Sequence, residues 1–465
     1  METVRSEKMV KKILLITHFL PPSHTAGTEQ YTLALGKTLH ARGSDVTILC
    51  AEDWDHGEKY WNGVTEELLE SVRVLRIHLN WQKARKTNRI LYDSKPVEKW
   101  LDKYLAANKF DLVHVTSTYS LGVGVLRSVK RANIPLVLTL MDFWFLCPSL
   151  QLLRSDGELC DGNTTPMQCE ACLMANSNVY QRMKKVSMSE PTSALFWNQL
   201  SHINFLTRQR GLRGILLDMS HRKAIMKETF ELPDLVISPS QIVQTMFAKN
   251  AGRPVELLPY HHDLSWLKDY HETMRSDILH IGYLGQIQKI KGVHLLIDAF
   301  VKAGIESKAH LHIWGDYSNN PQYENHIRAR MGNNPSIILH GKYARDQLGP
   351  ILSKLDIVVV PSIWYENAPL VIQESFATKT PVIATNLGGM SEAVTHEING
   401  LLFERNDSDD LARQLKRVVD EQDLLERLKR GIPSVRGFNA DALDIEIIYD
   451  RLIVNRKLAA ASNKF

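Results

Sequence analysis

Apolar residues in this chain fall into short unbroken runs, separated by stretches in which they recur every three or four positions. Buried parallel strands alternating with amphipathic helices produce that pattern. The runs KKILLIT, SDVTILC, VRVLRIH, DLVHVTS, IPLVLTL and DLVISPS predict strands in the first half. EQYTLALGKTLHARG, ending at Gly43, predicts the first helix. After the polar stretch LSWLKDYHETMRSD the alternation restarts with ILHIGYLG, the helix GVHLLIDAFVKAG, and then AHLHIWG, SIILHG, LDIVVVPS, TPVIAT and NGLLFE. The expected architecture is α/β: two doubly wound parallel-sheet units spanning 9–260 and 261–435, with a helix over 436–465 expected to return to the first. In such sheets ligands bind beyond the carboxyl ends of the strands, so a cleft between the units is the expected site.

Residues 147–233 break the alternation, and a loop of that length without structure is improbable in a compact domain. The segment reads as a helical subdomain. Four of the chain's five cysteines fall there, Cys147, Cys160, Cys169 and Cys172, the last two as C-x-x-C. That pattern fits either a structural zinc held by four thiolates or simple reduced thiols. FLTRQRGLRGILLDMSHRK places Phe205, Leu212, Leu216 and Met219 on one side of a helix rich in arginine. The stripe fits packing on the first domain, or contact with an anionic membrane surface.

The net charge of +4 on 465 residues, with 44% apolar and 23% charged, describes a folded protein and gives no reason to expect a nucleic-acid partner. The amino-terminal apolar run ILLITHFL contains His18 and stops at two prolines, so it reads as a buried strand and not as a secretory signal. No other apolar run reaches the roughly 20 residues of a membrane span. A cytoplasmic location follows as the expectation, extended to the inner membrane surface if the basic helix binds lipid.

The chemistry concentrates in WYENAPLVIQE, residues 364–374. Pro369 suits the first turn of a helix, because its missing amide hydrogen would have no partner there. The helix LVIQESFA would then begin beside Ala368 with its free amides turned toward an anion. Glu366 precedes that helix end and Glu374 lies inside it. Carboxylates accept hydrogen bonds from sugar hydroxyls, so a ligand with a phosphate centre and hydroxyls on either side fits the pair. Taken singly, each could equally be a surface charge.

The run PSIWYENAPLVIQESFATKTPVIATNLGGMSEAV, followed by NGLLF, resembles the carboxyl-terminal signature of the family 4 (group 1) retaining glycosyltransferases, and the resemblance extends along nearly the whole chain. It implies a GT-B fold, two Rossmann-like domains with a nucleoside diphosphate sugar held mainly by the second. On this likeness Glu374 would hold the ribose, Glu366 would sit by the donor sugar as a catalytic residue, and Asn367, Ala368, Pro369 and Leu370 would contact donor oxygens. Tyr343 joins the expected donor-binding set. In GYLGQIQKIKG, Lys291 matches the family's lysine, whereas Gln286 stands where the family usually has arginine, leaving Lys289 and the helix end to meet the diphosphate's charge.

In the first unit, PPSHTAGTEQYT resembles the family's glycine-rich loop, with Gly27 at the donor. DLVHVTST resembles a family segment near the donor sugar and offers His114, read first as a core position and second as a sugar contact, and Thr116 as a candidate sugar contact. TLMDFWFLCP keeps the family's aspartate as Asp142, expected to touch acceptor or donor sugar as a second catalytic residue, with Met141 in place of its histidine. Asp53-Trp54-Asp55 and Asp407-Ser408-Asp409 match the Asp-x-Asp metal pattern of a different glycosyltransferase fold, but so short a pattern recurs by chance. The resemblance therefore implies sugar transfer to a glycan or lipid-linked acceptor, without a catalytic cofactor. A nucleotide-sugar epimerase, or a non-catalytic sugar-binding subunit, is compatible with the same scaffold.

Overall fold

The computed structural model describes residues 10–53, 56–84, 87–175, 215–261, 263–271, 276–317 and 320–462. The chain divides into two compact units. One comprises the chain up to Pro239, then Val243–Leu258 and the residues from Ala442 onward; the other comprises Ser240–Ile242 and Pro259–Asp441. Among the described residues no helix is long and apolar enough to cross a membrane.

In chain order the first unit holds β1 (Lys12–Ile16), α1 (Gly27–Ala41), β2 (Asp45–Asp53), β3 (Trp61–Leu69), β4 (Val72–Leu79), α2 (Thr87–Tyr92), α3 (Lys95–Ala107), β5 (Leu112–Val115), α4 (Gly124–Arg131), β6 (Leu136–Thr139), α5 (Pro166–Met174), α6 (Ile215–Phe230), β7 (Leu235–Ser238), α7 (Gln241–Ala251) and β8 (Glu256–Leu257). Its sheet runs β3-β4-β2-β1-β5-β6-β7-β8. Every pair is parallel except β3 with β4. Ile13, Leu14, Leu15 and Ile16 of the central β1 are wholly buried, as a strand covered on both faces requires.

The six strands expected here all form. Two more were not foreseen. β3 is an edge strand whose residues Thr65–Leu68 face solvent, and it is joined to β4 by Glu70 and Ser71 at φ 47° and 72°. Two successive left-handed residues make the turn that suits the strand twist, here without the glycine or asparagine that usually announces it. β8 has two residues, too few for periodicity to register.

The second unit holds β9 (Leu279–Leu284), α8 (Val293–Ala303), β10 (Ala309–Trp314), α9 (Pro321–Met331), β11 (Ile337–Gly341), α10 (Leu348–Leu352), β12 (Ile357–Val360), α11 (Leu370–Ala377), β13 (Val382–Thr385), α12 (Gly388–Ala393), β14 (Gly400–Phe403), α13 (Ser408–Asp420) and α14 (Leu424–Gly431). Its sheet is parallel throughout, in the order β11-β10-β9-β12-β13-β14. Ile281 and Tyr283 of β9 with Leu311 and Ile313 of β10 pack on Leu296, Ile297 and Phe300 of α8. Each such side chain, fully buried, stabilises by about 1.5–3 kcal/mol relative to exposure. On the opposite face Leu284 and Trp314 join Leu355, Val358 and Ile372.

The last helix, α15 (Phe438–Ser462), contributes the residues from Ala442 onward to the first unit. There the Tyr449 hydroxyl lies 2.7 Å from Nδ1 of His114.

Candidate functional site

In the second unit, glycines draw two loops together at the carboxyl ends of β9 and β12. Gly292 has φ 73°, and a Cβ there would come within 1.8 Å of the Pro361 carbonyl oxygen, so no other residue fits without moving the loop. The amide of Ile363 donates to the Ile290 carbonyl at 2.9 Å and fastens the loops to each other. Lys291 is thereby delivered to Glu366: its Nζ donates to Oε1 at 2.6 Å. The same oxygen accepts from the Ser362 hydroxyl at 2.7 Å and from the Trp364 indole at 2.9 Å. The Lys291 ammonium also lies 5.4 Å from the Trp364 ring centroid.

Glu366 is 7% exposed, so its charge depends on these donors. Its backbone is held as well, because the Gly389 amide donates to the Glu366 carbonyl at 2.9 Å. A Cβ on Gly389 would meet the Asn367 carbonyl oxygen at 1.7 Å. α12 is thus pressed against the loop Asn367–Pro369.

α11 begins at Leu370, and Pro369 is its capping residue with ψ 117°, not part of the first turn. The proline's constrained φ still fits, since the cap shares φ near −66° with a helix and differs in ψ. Among the described residues the amides of Ala368, Leu370 and Val371 donate to no protein acceptor, as expected of a helix start. Glu374, 5% exposed, lies inside this helix and accepts from Arg345 Nη1 at 3.0 Å. Burial pushes its carboxyl up, and the Arg345 charge and hydrogen bond offset part of that rise. Arg345 was not foreseen: it stands 29 residues before its partner in sequence, in a polar stretch without a motif. The half-buried Tyr343 belongs to the same neighbourhood, its phenol pushed up by burial and by the Glu374 charge. Gln286 points to solvent while its carbonyl accepts the Tyr283 hydroxyl at 2.7 Å.

The first unit gathers a different set. Beyond β1 lies His18, and its Nε2 is 3.2 Å from Oε1 of Glu29, a residue of the first turn of α1. Glu29 is 3% exposed; burial raises its carboxyl, but the hydrogen bond and charge of His18 outweigh that and leave it lowered. Among the described residues Nδ1 of His18 and Oε2 of Glu29 are buried without a partner. Asp142, beyond β6, accepts the Trp144 amide at 2.7 Å. Burial raises its carboxyl, against the Trp144 amide and the charges of His18 and Arg222. Gly27 opens α1 directly before this group. His18 and Glu29 were missed because a histidine ending an apolar run and a glutamate starting a helix each have an ordinary reading.

His114 and Thr116 lie inside the first unit. His114 is fully buried, with Nδ1 bonded to Tyr449 and Nε2 2.7 Å from the Thr139 hydroxyl; burial pushes its ring down to about 3. Thr116 is 2% exposed, and its hydroxyl lies 2.7 Å from that of Thr32. Both are core.

The four cysteines of the excursion are free thiols, and no three of them bring their sulfurs within 4.8 Å of one another. Cys160 accepts the Gly162 amide, and Cys169 pairs with the Thr164 hydroxyl at 3.0 Å. Of the basic helix, positions 205–214 lie outside the described residues. Met219 and Arg222 are buried, with the Arg222 guanidinium 4.4 Å from the Trp144 ring centroid and donating to the Trp144 carbonyl. Arg222 is therefore spoken for and does not face lipid. Asp407 caps α13, accepting the amides of Asp409 and Asp410, which gives that Asp-x-Asp a structural task. Trp54 and Asp55 of the other lie outside the described residues.

Comparison with known proteins agrees with this layout. Residues 273–434 match the model for glycosyl transferases group 1, and residues 25–160 the model for glycosyltransferase family 4. A UDP-Gal:alpha-D-GlcNAc-diphosphoundecaprenol alpha-1,3-galactosyltransferase of Escherichia coli is 34% identical over 116 residues, 24% of this chain and 30% of that one. The chain matches only 30–40% of the length of this and comparable curated relatives. Among solved structures, sucrose-phosphate synthase of Thermosynechococcus elongatus superposes with a TM-score of 0.65 at 20% identity, covering 96% of this chain and 100% of that one. HepE of Anabaena, in complex with UDP and glucose, gives 0.57 at 17%, covering 97% and 99%. The fold is GT-B.

Proposed function

Because the chain belongs to the group 1, family 4 glycosyltransferases, we propose that it moves a sugar from a nucleoside diphosphate sugar to an acceptor hydroxyl with retention at the anomeric carbon. The observation that carries this reading is the convergence of Lys291, Ser362 and Trp364 on one oxygen of Glu366 beside the amino end of α11. A diphosphate entering there competes with Glu366 for the Lys291 ammonium and takes up the amides of Ala368, Leu370 and Val371. Glu366 is then released toward the sugar hydroxyls, while Glu374 accepts from the ribose.

As the bond between the anomeric carbon and the diphosphate oxygen breaks, negative charge grows on the phosphate and positive charge on the ring. Lys291 and the start of α11 stabilise the first, at about 3 kcal/mol per well-placed donor. The acceptor oxygen bonds to the same face, and its proton passes to the departing phosphate oxygen. No enzyme nucleophile is needed. The unpartnered atoms of His18 and Glu29, with Asp142, suit acceptor hydroxyls. An acceptor of the lipid-linked or polysaccharide class is favoured by the Escherichia coli relative, whose name specifies a diphosphoundecaprenol acceptor.

The test is a Glu366→Gln substitution, with nucleoside diphosphate release measured with and without acceptor. Loss of the carboxylate should lower transfer by about 10²–10³-fold, while UDP-, GDP- or ADP-sugars still raise the melting temperature. Transfer at the wild-type rate would remove Glu366 from the mechanism, and conversion of the donor to an isomeric nucleotide-sugar without acceptor and without nucleotide release would point to an isomerase instead.

A further inference from the structure

Histidines line one face of the second sheet at its β11 edge. His280 on β9 stands opposite His310 on β10, and His312, two residues further, points to the same side. The chain continues onto β11, where His340 stacks on Trp314 with ring centroids 4.2 Å apart. The rings form a hydrogen-bonded line: Nε2 of His280 is 3.2 Å from the Ser276 hydroxyl, Nδ1 of His280 is 2.9 Å from Nε2 of His312, and Nδ1 of His312 is 2.9 Å from Nε2 of His340. His310 stands beside this line, its ring centroid 6.0 Å from that of His280 and 6.3 Å from that of His312. One nitrogen from each of His280, His310 and His312 lies within 4.8 Å of the other two.

We propose that His280, His310 and His312 hold a Zn²⁺ ion, with Ser276 and His340 orienting two of the three rings. Zinc binds imidazole nitrogen at about 2.0–2.1 Å, which places tetrahedral ligands about 3.3 Å apart, so a small closing of the rings completes the set. The hydrogen bond between Nδ1 of His280 and Nε2 of His312 occupies the place the ion would take. When the ion enters, the ring that held its proton there shifts to its other tautomer, so that Nε2–H of His280 donates to Ser276 and Nδ1–H of His312 donates to Nε2 of His340 while each ring stays neutral. Metal-binding histidines need that kind of outer partner to fix tautomer and orientation. A cavity of 860 Å³ opens beside His280, His312 and His340 and has room for water as the fourth ligand.

Ligation also requires neutral rings. Burial, then the neighbouring histidines and Lys354, push His312 down to about 4, and burial with Lys354 lowers His340. The cluster lies toward the amino ends of β9 and β10, whereas the Lys291 loop follows the carboxyl end of β9. The zinc therefore ties strands together and takes no part in sugar transfer.

The experiment uses the full-length chain, stripped with chelator and titrated with ZnCl₂ by calorimetry, with thermal melts and cobalt substitution alongside. One equivalent should bind at pH 7.5, raise the melting temperature, and give a tetrahedral visible spectrum with Co²⁺. His310→Ala and His312→Ala should each weaken binding at least about 100-fold, and His340→Ala about 10- to 100-fold. Far-ultraviolet circular dichroism shows whether each variant is folded. A Cys169→Ser/Cys172→Ser double variant should bind as the parent does. Absence of saturable binding overturns the proposal, as does binding that survives His310→Ala in a folded protein or that disappears in the cysteine variant.

Discussion

Glu374→Gln separates what a buried carboxylate does for binding from what it does for stability. Glu374 is 5% exposed and, among the described residues, has a single ion-pair partner, Arg345 at 3.0 Å, whose side chain is 37% exposed. Burial holds its carboxyl above the ordinary glutamate range. A raised acid contributes stability below its unfolded pKa and loses it as pH climbs through the folded value. At pH 7 the ionised group is therefore a net cost to the fold, and the half-exposed Arg345 repays little of it. Glutamine removes the charge and keeps an oxygen for Arg345 to donate to. The variant should melt at pH 7 no lower than the parent, with any advantage shrinking toward pH 4.

Donor binding should move the other way. A hydrogen bond to a charged group contributes about 1.5–3 kcal/mol, so losing the carboxylate's grip on the ribose weakens nucleotide-sugar affinity by about 10- to 150-fold. The assay is a set of melts across pH 4–8 with calorimetric titration of the donor. A fall of more than about 4 °C at pH 7, equivalent to about 1–2 kcal/mol in a domain of this size, would show the ion pair to be a net stabiliser and refute the argument. Donor affinity within about threefold of the parent would refute the ribose assignment.

Other expectations are equally direct. Tyr449→Phe leaves Nδ1 of His114 without its partner and should destabilise by about 1–3 kcal/mol, read by denaturant unfolding, while transfer rates stay unchanged because both side chains are buried in the core of the first unit. His114 titrates near 3 in the fold and near 6.5 when unfolded, so it stabilises above pH 6.5 and that contribution drains away as pH falls toward 3. A His114→Gln variant should lack this part of the acid sensitivity in melts between those limits. Gly389→Ala drives a methyl to within 1.7 Å of the Asn367 carbonyl and should either destabilise by about 1–3 kcal/mol or shift the donor loop, with donor affinity falling in a fluorescence titration.

Wherever burial on both faces left an unbroken apolar run, the strand could be read from the chain. β3 could not, because Thr65, Glu66, Glu67 and Leu68 face solvent and the turn at Glu70-Ser71 adopts left-handed backbone with residues that do not advertise it. Glu366 and Glu374 were visible because they lie in one contiguous stretch around a helix start. Their partners were less so: Lys291 was found through its glycine loop, whereas Arg345 and Ser362 act through proximity created only by folding. Asp142 stood out as a charge ending an apolar run. His114 looked similar from the chain, and only the distant Tyr449 reveals that its polarity is satisfied inside the core. The histidine row escaped notice because its members come from three separate strands, whose register alone aligns them.

The union of His114 with Tyr449, 335 positions apart, has a consequence for how the molecule comes into being. A ribosome emits the strands of the first sheet early, yet the helix that closes over them emerges only after the whole intervening unit has been made. Until then the newborn half must wait with an unsealed flank, so its maturation is tied to the completion of its neighbour.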